Sequence, residues 1–391
     1  MNGGILQVFN RYLHAGGEEK SVDRIHQHLS EGHRVSRCFF DSAEWLGPNA
    51  PGAAQQLTRL FYNSEARARF DAALDASGAE IALFHNIYPV GSPSLYRAAR
   101  DRKVPVIQYL HNFRPFSVGG TLFVNGRVCD DSLRGKYGAE VRAGVWQDSV
   151  LKSAVFALML KMLHRSGWLR SVKTWVAISD FMRDRIVGAG LVPPERIHTV
   201  RHSWDAMPEA PPSEDAGYYL FLGRLVDTKG VIPLLDAWDA LREQLGARTP
   251  KLQIAGVGPL DDVVRQRVSR NPCISQLGHI DHETKREALR RCRAVVVPSV
   301  WWEPLGLVVY EAYDFAKPVL AARAGGLTET VHPGLTGFLH APGDVSALVK
   351  DVLSLESASE NSRVTMGRNG REWLLRETSP QAWQRRFEAL L

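Results

Sequence analysis

Two carboxylates, Glu303 and Glu311, flank a glycine in the stretch Pro298-Ser-Val-Trp-Trp-Glu-Pro-Leu-Gly-Leu-Val-Val-Tyr-Glu-Ala-Tyr313. A strand is expected to end near Pro298, a loop to carry Glu303, and a helix to begin near Leu305 and bring in Glu311 about two turns later. Backbone N–H groups at a helix start form a ready site for an anion, and Gly306 lets a ligand approach the chain closely. Were the stretch helical throughout, the two carboxylates would lie ~12 Å apart along the axis. That spacing suits a phosphorylated ligand with hydroxyl-bearing groups at both ends. On their own, two glutamates on one helix are ordinary solvated charges.

Two further segments carry reactive side chains. Phe221-Leu-Gly-Arg-Leu-Val-Asp-Thr-Lys-Gly230 places Arg224 and Lys229 just after an apolar run, and Tyr109-Leu-His-Asn-Phe-Arg114 places His111 at the carboxyl end of another. Open α/β sheets form their ligand crevices at such strand ends. A basic pair near a turn is usually a surface feature, and a histidine at a strand end is about as often a structural residue as a functional one.

In order and spacing, these segments resemble retaining glycosyltransferases of the GT-B fold, in particular the fourth family with its Glu-x7-Glu signature. Gly16-Gly17-Glu18 followed by Gly32-His33-Arg34-Val35 is similar to that family's opening glycine loop, helix and second strand, and Phe221–Gly230 to its basic diphosphate-binding segment. Gly256-Val-Gly-Pro259, Leu277-Gly-His-Ile280 and Gly325-Gly-Leu-Thr-Glu329 follow in the family's order. The resemblance implies a nucleotide-sugar donor whose diphosphate meets Arg224, Lys229 and the amides near Gly306, Leu307 and Val308. It further implies Glu303 on the sugar hydroxyls, Glu311 on the ribose, Gly16 and Gly17 near the phosphates, and His111 near the transferred sugar. Cations at a departing diphosphate gain strength as the bond breaks and so lower the barrier. With no Asp-x-Asp triplet in the chain, no metal and no other cofactor are expected. The family's Asn-Gly-Val-Asp turn reads here Arg201-His-Ser-Trp-Asp205, and Asp205 is given no role.

The elements that must position these residues follow an alternating pattern. Apolar runs at Ile5–Phe9, Ile81–Phe84, Val104–Leu110 and Thr174–Ile178 read as strands, as does a segment restarting at Gly32–Val35; a helix is expected from Glu18 to Glu31. After a Pro- and acid-rich stretch the pattern resumes at Tyr218–Leu222, Leu252–Ala255, Ala294–Val297 and Pro318–Ala321. Alternation of this kind argues for parallel sheets flanked by helices. The expectation is an α/β protein of two Rossmann-like doubly wound domains facing across a cleft: an acceptor-binding domain over 1–205, a linker over 206–217 and a nucleotide-sugar-binding domain over 218–378. A last helix over 379–391, with Ser379 at its N-cap and Pro380 at its first position, is expected to pack back on the first domain.

Composition narrows the class. At 391 residues, with 45% hydrophobic and 23% charged residues, the chain reads as globular rather than disordered. The four cysteines, Cys38, Cys129, Cys273 and Cys292, show neither zinc-ligand spacing nor a disulfide framework, which fits a reducing, cytoplasmic setting. No signal peptide or membrane span is read. Residues 1–210 hold 26 Lys+Arg against 20 Asp+Glu, whereas 211–391 balance at 22 each, so the +6 net charge lies in the first half. No nucleic-acid-binding module is present, and an anionic substrate or membrane is the better match. Val150–Lys173 mixes Leu158, Met159 and Leu160 with Lys161 and Arg165 and could form an interfacial helix at the inner face of a membrane; a core-facing helix with a basic solvent face is the commoner outcome.

The expected activity is retaining transfer of a hexosyl group from a nucleotide-diphosphate donor to a sugar or lipid-linked hydroxyl acceptor, in polysaccharide or glycolipid biosynthesis. Two alternatives share the anion site. One is another GT-B enzyme, a sugar phosphorylase or nucleotide-sugar epimerase; the other is a catalytically silent nucleotide-sugar-binding protein.

Overall fold

The computed structural model describes residues 4–13, 16–209 and 214–391; part of the expected linker, residues 210–213, lies outside them. The chain forms two units. The first comprises residues 4–125, 129–203 and 380–391, and the second 126–128 and 204–379.

The first unit is built on strands β1 (Gly4–Arg11), β2 (Val35–Asp41), β3 (Ala79–Phe84), β4 (Val106–Leu110), β5 (Val172–Ala177) and β6 (Ile197–Thr199). They form a six-stranded sheet in the order β2-β1-β3-β4-β5-β6, every pair parallel. Seven of the eight residues of β1 are buried, as expected of a central strand covered on both faces. Helix α1 (Gly17–Ser30) follows β1 and turns Val22, Ile25 and Leu29 toward the core. Glu18 and Glu19 occupy its first turn, where the helix dipole favours carboxylates.

Helix α2 (Val150–Ser166) buries Phe156, Met159, Leu160 and Leu163 but leaves Leu151 and Leu158 at 75% and 59% exposure, beside exposed Lys161 and Arg165. The terminal segment carries Trp383 and Phe387 into this same unit, where Trp383 Nε1 donates to Tyr109 Oη at 3.1 Å. The described residues contain no helix long and apolar enough to cross a membrane.

The second unit repeats the plan with β7 (Tyr218–Leu222), β8 (Lys251–Ala255), β9 (Ile274–Gly278), β10 (Ala294–Val297), β11 (Val319–Ala322) and β12 (Gly337–His340). Their order is β9-β8-β7-β10-β11-β12, again all parallel. Tyr219, Phe221, Trp238, Ile254, Val296 and Leu320 lie in its core. Trp204 N donates to Thr378 O at 2.7 Å, which ties together the two points where the chain enters and leaves this unit.

Both sheets are doubly wound. The order reverses between β1 and β3 in the first unit and between β7 and β10 in the second, so neighbouring loops diverge at those carboxyl ends and leave a crevice. Two parallel-sheet α/β domains of this kind are the fold class of the GT-B glycosyltransferases.

Candidate active site

In the second unit the reversal point gathers the sequence-predicted residues. Arg224 and Lys229 follow β7, and Glu303 follows β10. The two loops are joined by Val300 N donating to Thr228 O at 3.0 Å. Gly230 makes this approach feasible: its φ is +69°, and a Cβ there would stand 1.9 Å from Pro298 O.

Lys229 is thereby brought onto Glu303, and its ammonium donates to Glu303 Oε1. Ser299 Oγ donates to the same oxygen at 2.7 Å. The Glu303 side chain is only 5% exposed and that of Lys229 25%. Burial alone would raise the Glu303 carboxyl, but the Lys229 charge and the hydrogen bonds from Lys229 and Ser299 outweigh it and hold the group below its ordinary value. Lys229 Nζ also lies 5.3 Å from the centre of the Trp301 ring, within cation–π range.

Glu303 lies on a loop, as its sequence context predicts. It forms an isolated bridge with Gly325, and helix α3 runs Leu307–Asp314, starting two residues later than expected. Gly306 is the reason: it caps the helix with φ +85°, a left-handed conformation that stops the helix from extending back to Leu305. The amides of Leu307 and Val308 thus stand at the true helix start.

Arg224, Val308 and Glu311 line one cavity of about 360 Å³, together with Gly256, His279 and Lys285. Lys229 and Glu303 do not line it; they form a separate pair on the adjoining loops. Lys285 was not foreseen. Its Nζ lies 2.9 Å from Glu311 Oε1, although the residues are 26 positions apart. A cavity of about 390 Å³ lined by Glu44, Arg59 and Arg69 occurs in the first unit, so size does not single out the site; the charged groups do.

In the first unit Gly16 is extended, and a Cβ there would meet nothing within 4 Å. His111 is buried and belongs to a relay that the sequence did not reveal. Gln7 Nε2 donates to Val22 O at 2.9 Å and lies 3.1 Å from His85 Nε2, which must therefore accept. His85 Nδ1 then donates to His111 Nε2 at 2.8 Å, and His111 Nδ1 to His202 Nε2 at 3.3 Å. One amide thus fixes three tautomers in series. Burial lowers all three histidines, His111 to about 3, and the charges of their neighbours lower His85 and His202 further. Both His111 nitrogens are engaged inside the unit. Among the described residues no group of His, Cys, Asp and Glu is arranged to hold a metal ion.

Residues 203–373 match the family model of group 1 glycosyl transferases. That segment holds Arg224, Lys229, Lys285, Glu303 and Glu311. The chain is 31% identical over 256 residues to a glycogen synthase of Mycobacterium tuberculosis, covering 61% of this chain and 56% of that protein. It is 30% identical over 210 residues to the O-antigen chain mannosyltransferase B of Escherichia coli, covering 50% of this chain and 54% of that protein. The chain spans about half the length of these curated relatives.

Among solved structures, sucrose-phosphate synthase from Thermosynechococcus elongatus superposes with a TM-score of 0.69 at 18% identity, covering 99% of this chain and 98% of that one. Anabaena HepE gives 0.65 at 16% identity, covering 98% of each chain. At these identities the likeness is one of fold.

Proposed function

We propose that this chain is a retaining glycosyltransferase that moves a hexosyl group from a nucleotide-diphosphate donor to a sugar or lipid-linked hydroxyl, in polysaccharide or glycolipid biosynthesis. The observation that carries this is the meeting of Arg224, Glu311 and the start of α3 in one cavity, with Lys229 and Glu303 on the adjoining loops. All of these lie within the segment that matches the group 1 model. The structure of Anabaena HepE is described in complex with UDP, and another as in complex with UDP-glucose, which supports a nucleotide-sugar donor.

In this reading Glu311 binds the ribose, Arg224 and the amides of Leu307 and Val308 receive the diphosphate, and Lys229 turns from Glu303 toward the departing phosphate. Glu303 is then free to accept from the sugar hydroxyls. The acceptor oxygen bonds to the anomeric carbon on the face from which the diphosphate leaves, and the departing phosphate takes the acceptor's proton. Arg224 and Lys229 supply the positive charge that a metal would otherwise provide, so the reaction is proposed to need none. His111, committed through both nitrogens, is a positioning residue. The enzyme is proposed to work in the cytoplasm, with the Leu151–Leu158 face of α2 resting on an anionic membrane beside Lys161 and Arg165.

Thermal-shift screening with UDP- and GDP-hexoses tests the donor, since a ligand that binds only the folded state raises the melting temperature. Product analysis with the labelled donor that binds then tests the reaction. A glycoside of unchanged anomeric configuration, formed in the presence of EDTA, is expected. Free epimer or sugar phosphate would identify a different GT-B enzyme, and binding without turnover a silent one.

A further inference from the structure

The donor chemistry makes no use of the positive excess in the first half of the chain. Part of that charge surrounds a cavity of about 400 Å³ within the first unit, which shares no residue with the donor cavity. Its walls are the C-terminal half of α2, the turn Asp131–Arg134 with the residues that follow, and the chain leaving the helix Asp180–Gly188. Arg134, Lys161 and Arg165 line it, and no aspartate or glutamate does. Lys161 and Arg165 stand one turn apart on α2, both exposed, and neither has an ion-pair partner among the described residues. Arg134 meets Asp130 at 3.5 Å, well out in solvent. The other cavity of this unit shows the contrast: there Arg59 and Arg69 are each paired at 2.7 Å, with Glu65 and Glu44.

The walls are held in place from behind. Buried Glu140 accepts from Ser117 Oγ at 2.5 Å, Val118 N at 2.9 Å, Gly119 N at 3.3 Å and Ser132 Oγ at 2.6 Å. Its charge is spent on these four donors, which tie the turn bearing Arg134 to the loop after β4. His164 Nε2 donates to Pro115 O at 2.9 Å, and its ring centre lies 5.6 Å from that of Phe116. Tyr137, on the cavity wall, is 5% exposed, yet its hydroxyl has no hydrogen-bond partner among the described residues. A buried tyrosine hydroxyl normally has one. Burial and the Glu140 charge push Tyr137 up to about 12, so it stays a donor.

We infer that this cavity binds a phosphate monoester: Arg134, Lys161, Arg165 and the Tyr137 hydroxyl donate to the phosphate oxygens, and the rings of Phe116 and Tyr137 take the organic part. A cavity walled by charges of one sign concentrates a potential that favours anions. A monoester carries about −1.5 to −2 charges at pH 7 on three acceptor oxygens, which three cations match better than the single charge of a sulfate ester or phosphodiester. The volume lies within the range of small-ligand pockets, roughly 300–1,000 Å³, and so leaves room for more than the phosphate itself. The same group occurs on soluble phosphate esters and on the headgroup of phosphatidic acid in a membrane.

Calorimetric titration with phenyl phosphate and phenyl sulfate, which differ in charge but hardly in shape, tests this on the full chain. The native protein should bind the phosphate at least about tenfold more tightly than the sulfate, the scale of one charge-assisted hydrogen bond. Lys161→Ala/Arg165→Ala should keep the native melting temperature, since neither side chain loses an ion pair, and bind phenyl phosphate at least about tenfold more weakly. Tyr137→Phe, which keeps the ring, should weaken binding about fivefold, the scale of one neutral hydrogen bond. Sedimentation with phosphatidylcholine vesicles carrying phosphatidic acid or, at equal surface charge, phosphatidylglycerol separates the two sources. A preference for phosphatidic acid that phenyl phosphate abolishes assigns the site to the headgroup; no such preference, with phenyl phosphate still bound, assigns it to a soluble ester. Failure of phenyl phosphate to bind, equal affinity for the sulfate, or undiminished affinity in the double variant would overturn the inference, whether or not the chain transfers sugar.

Discussion

The ammonium of Lys229 is paired with the carboxylate of Glu303 across two loops that meet at the winding reversal of the second sheet. Its two partners differ in exposure, and this makes the pair asymmetric. Removing Lys229 strands a buried carboxylate, whereas removing Glu303 frees a lysine that is one-quarter exposed and can turn to solvent. Lys229→Ala is therefore expected to cost about 3 kcal/mol of stability, the scale for breaking a buried ion pair, and Glu303→Ala clearly less. Both should lower turnover by at least ~100-fold, the scale of one strong transition-state contact. Chemical denaturation and steady-state rates on the same preparations check both statements. Equal stability losses would refute the asymmetry, and normal turnover in either variant would remove that residue from the site.

Lys285 and Glu311 form a different kind of pair. Their side chains are 28% and 25% exposed, and such partly solvated pairs contribute ~0–1 kcal/mol. Lys285→Ala should leave the melting temperature nearly unchanged. Glu311→Ala, by removing the proposed ribose acceptor, should weaken donor binding about tenfold, or ~1.4 kcal/mol. Calorimetric titration with the donor identified by thermal shift decides this, and native affinity in E311A would take Glu311 out of the donor site.

What the sequence made legible follows from burial. Strands covered on both faces read as short apolar runs, and β10, Ala-Val-Val-Val, has the bounds its composition suggests. The unread strands β6, β9 and β12 all lie at sheet edges, where Ser275, Gln276 and His198 interrupt any apolar run. Arg224, Lys229, Glu303 and Glu311 could be picked out because they lie in short motifs. Their pairings could not, since Lys285 meets Glu311 and Lys229 meets Glu303 only after strands far apart in sequence come together. Nor does anything local mark His85 and His202 as neighbours of His111: single histidines carry no periodic signal, and Gln7, which sets their tautomers, looks like a misplaced polar residue in β1.

The exposed leucines of α2 make a prediction about the membrane. Leu151 and Leu158 are seven residues apart, on one helix face, with exposed Lys161 and Arg165 following on. An apolar face beside cations suits an anionic lipid surface. The protein should sediment with phosphatidylglycerol vesicles at low salt and dissociate as salt screens the charge. The double variant Lys161→Glu/Arg165→Glu should sediment at least about fivefold less, losing roughly 1 kcal/mol per basic residue. Equal sedimentation with neutral vesicles, or none with anionic ones, would refute the membrane reading.

The histidine relay predicts how stability depends on pH. His85, His111 and His202 are held neutral, with folded-state values below the ordinary 6.5. As pH falls below 6.5 the unfolded chain takes up protons at these positions, while the folded relay resists, in the case of His111 until about pH 3. Their contribution is fully present above 6.5 and is lost progressively on acidification, by up to ~1.4 kcal/mol per pH unit for each group. Glu18 works in the opposite sense: raised by burial to about 7, it takes up its proton in the folded state first and so adds stability as pH falls from 7 toward the ordinary carboxylate range. Three groups outweigh one, so the first unit should lose stability between pH 6.5 and 5. His111→Asn removes one titrating member and should flatten that slope by about one-half, since three histidine terms less the opposing Glu18 term leave a net of about two and one of these is gone. Denaturation midpoints at pH 7, 6 and 5 for both proteins test this; stability unchanged over that range, or an unaltered slope in the variant, would show that the histidines are not held neutral by the fold.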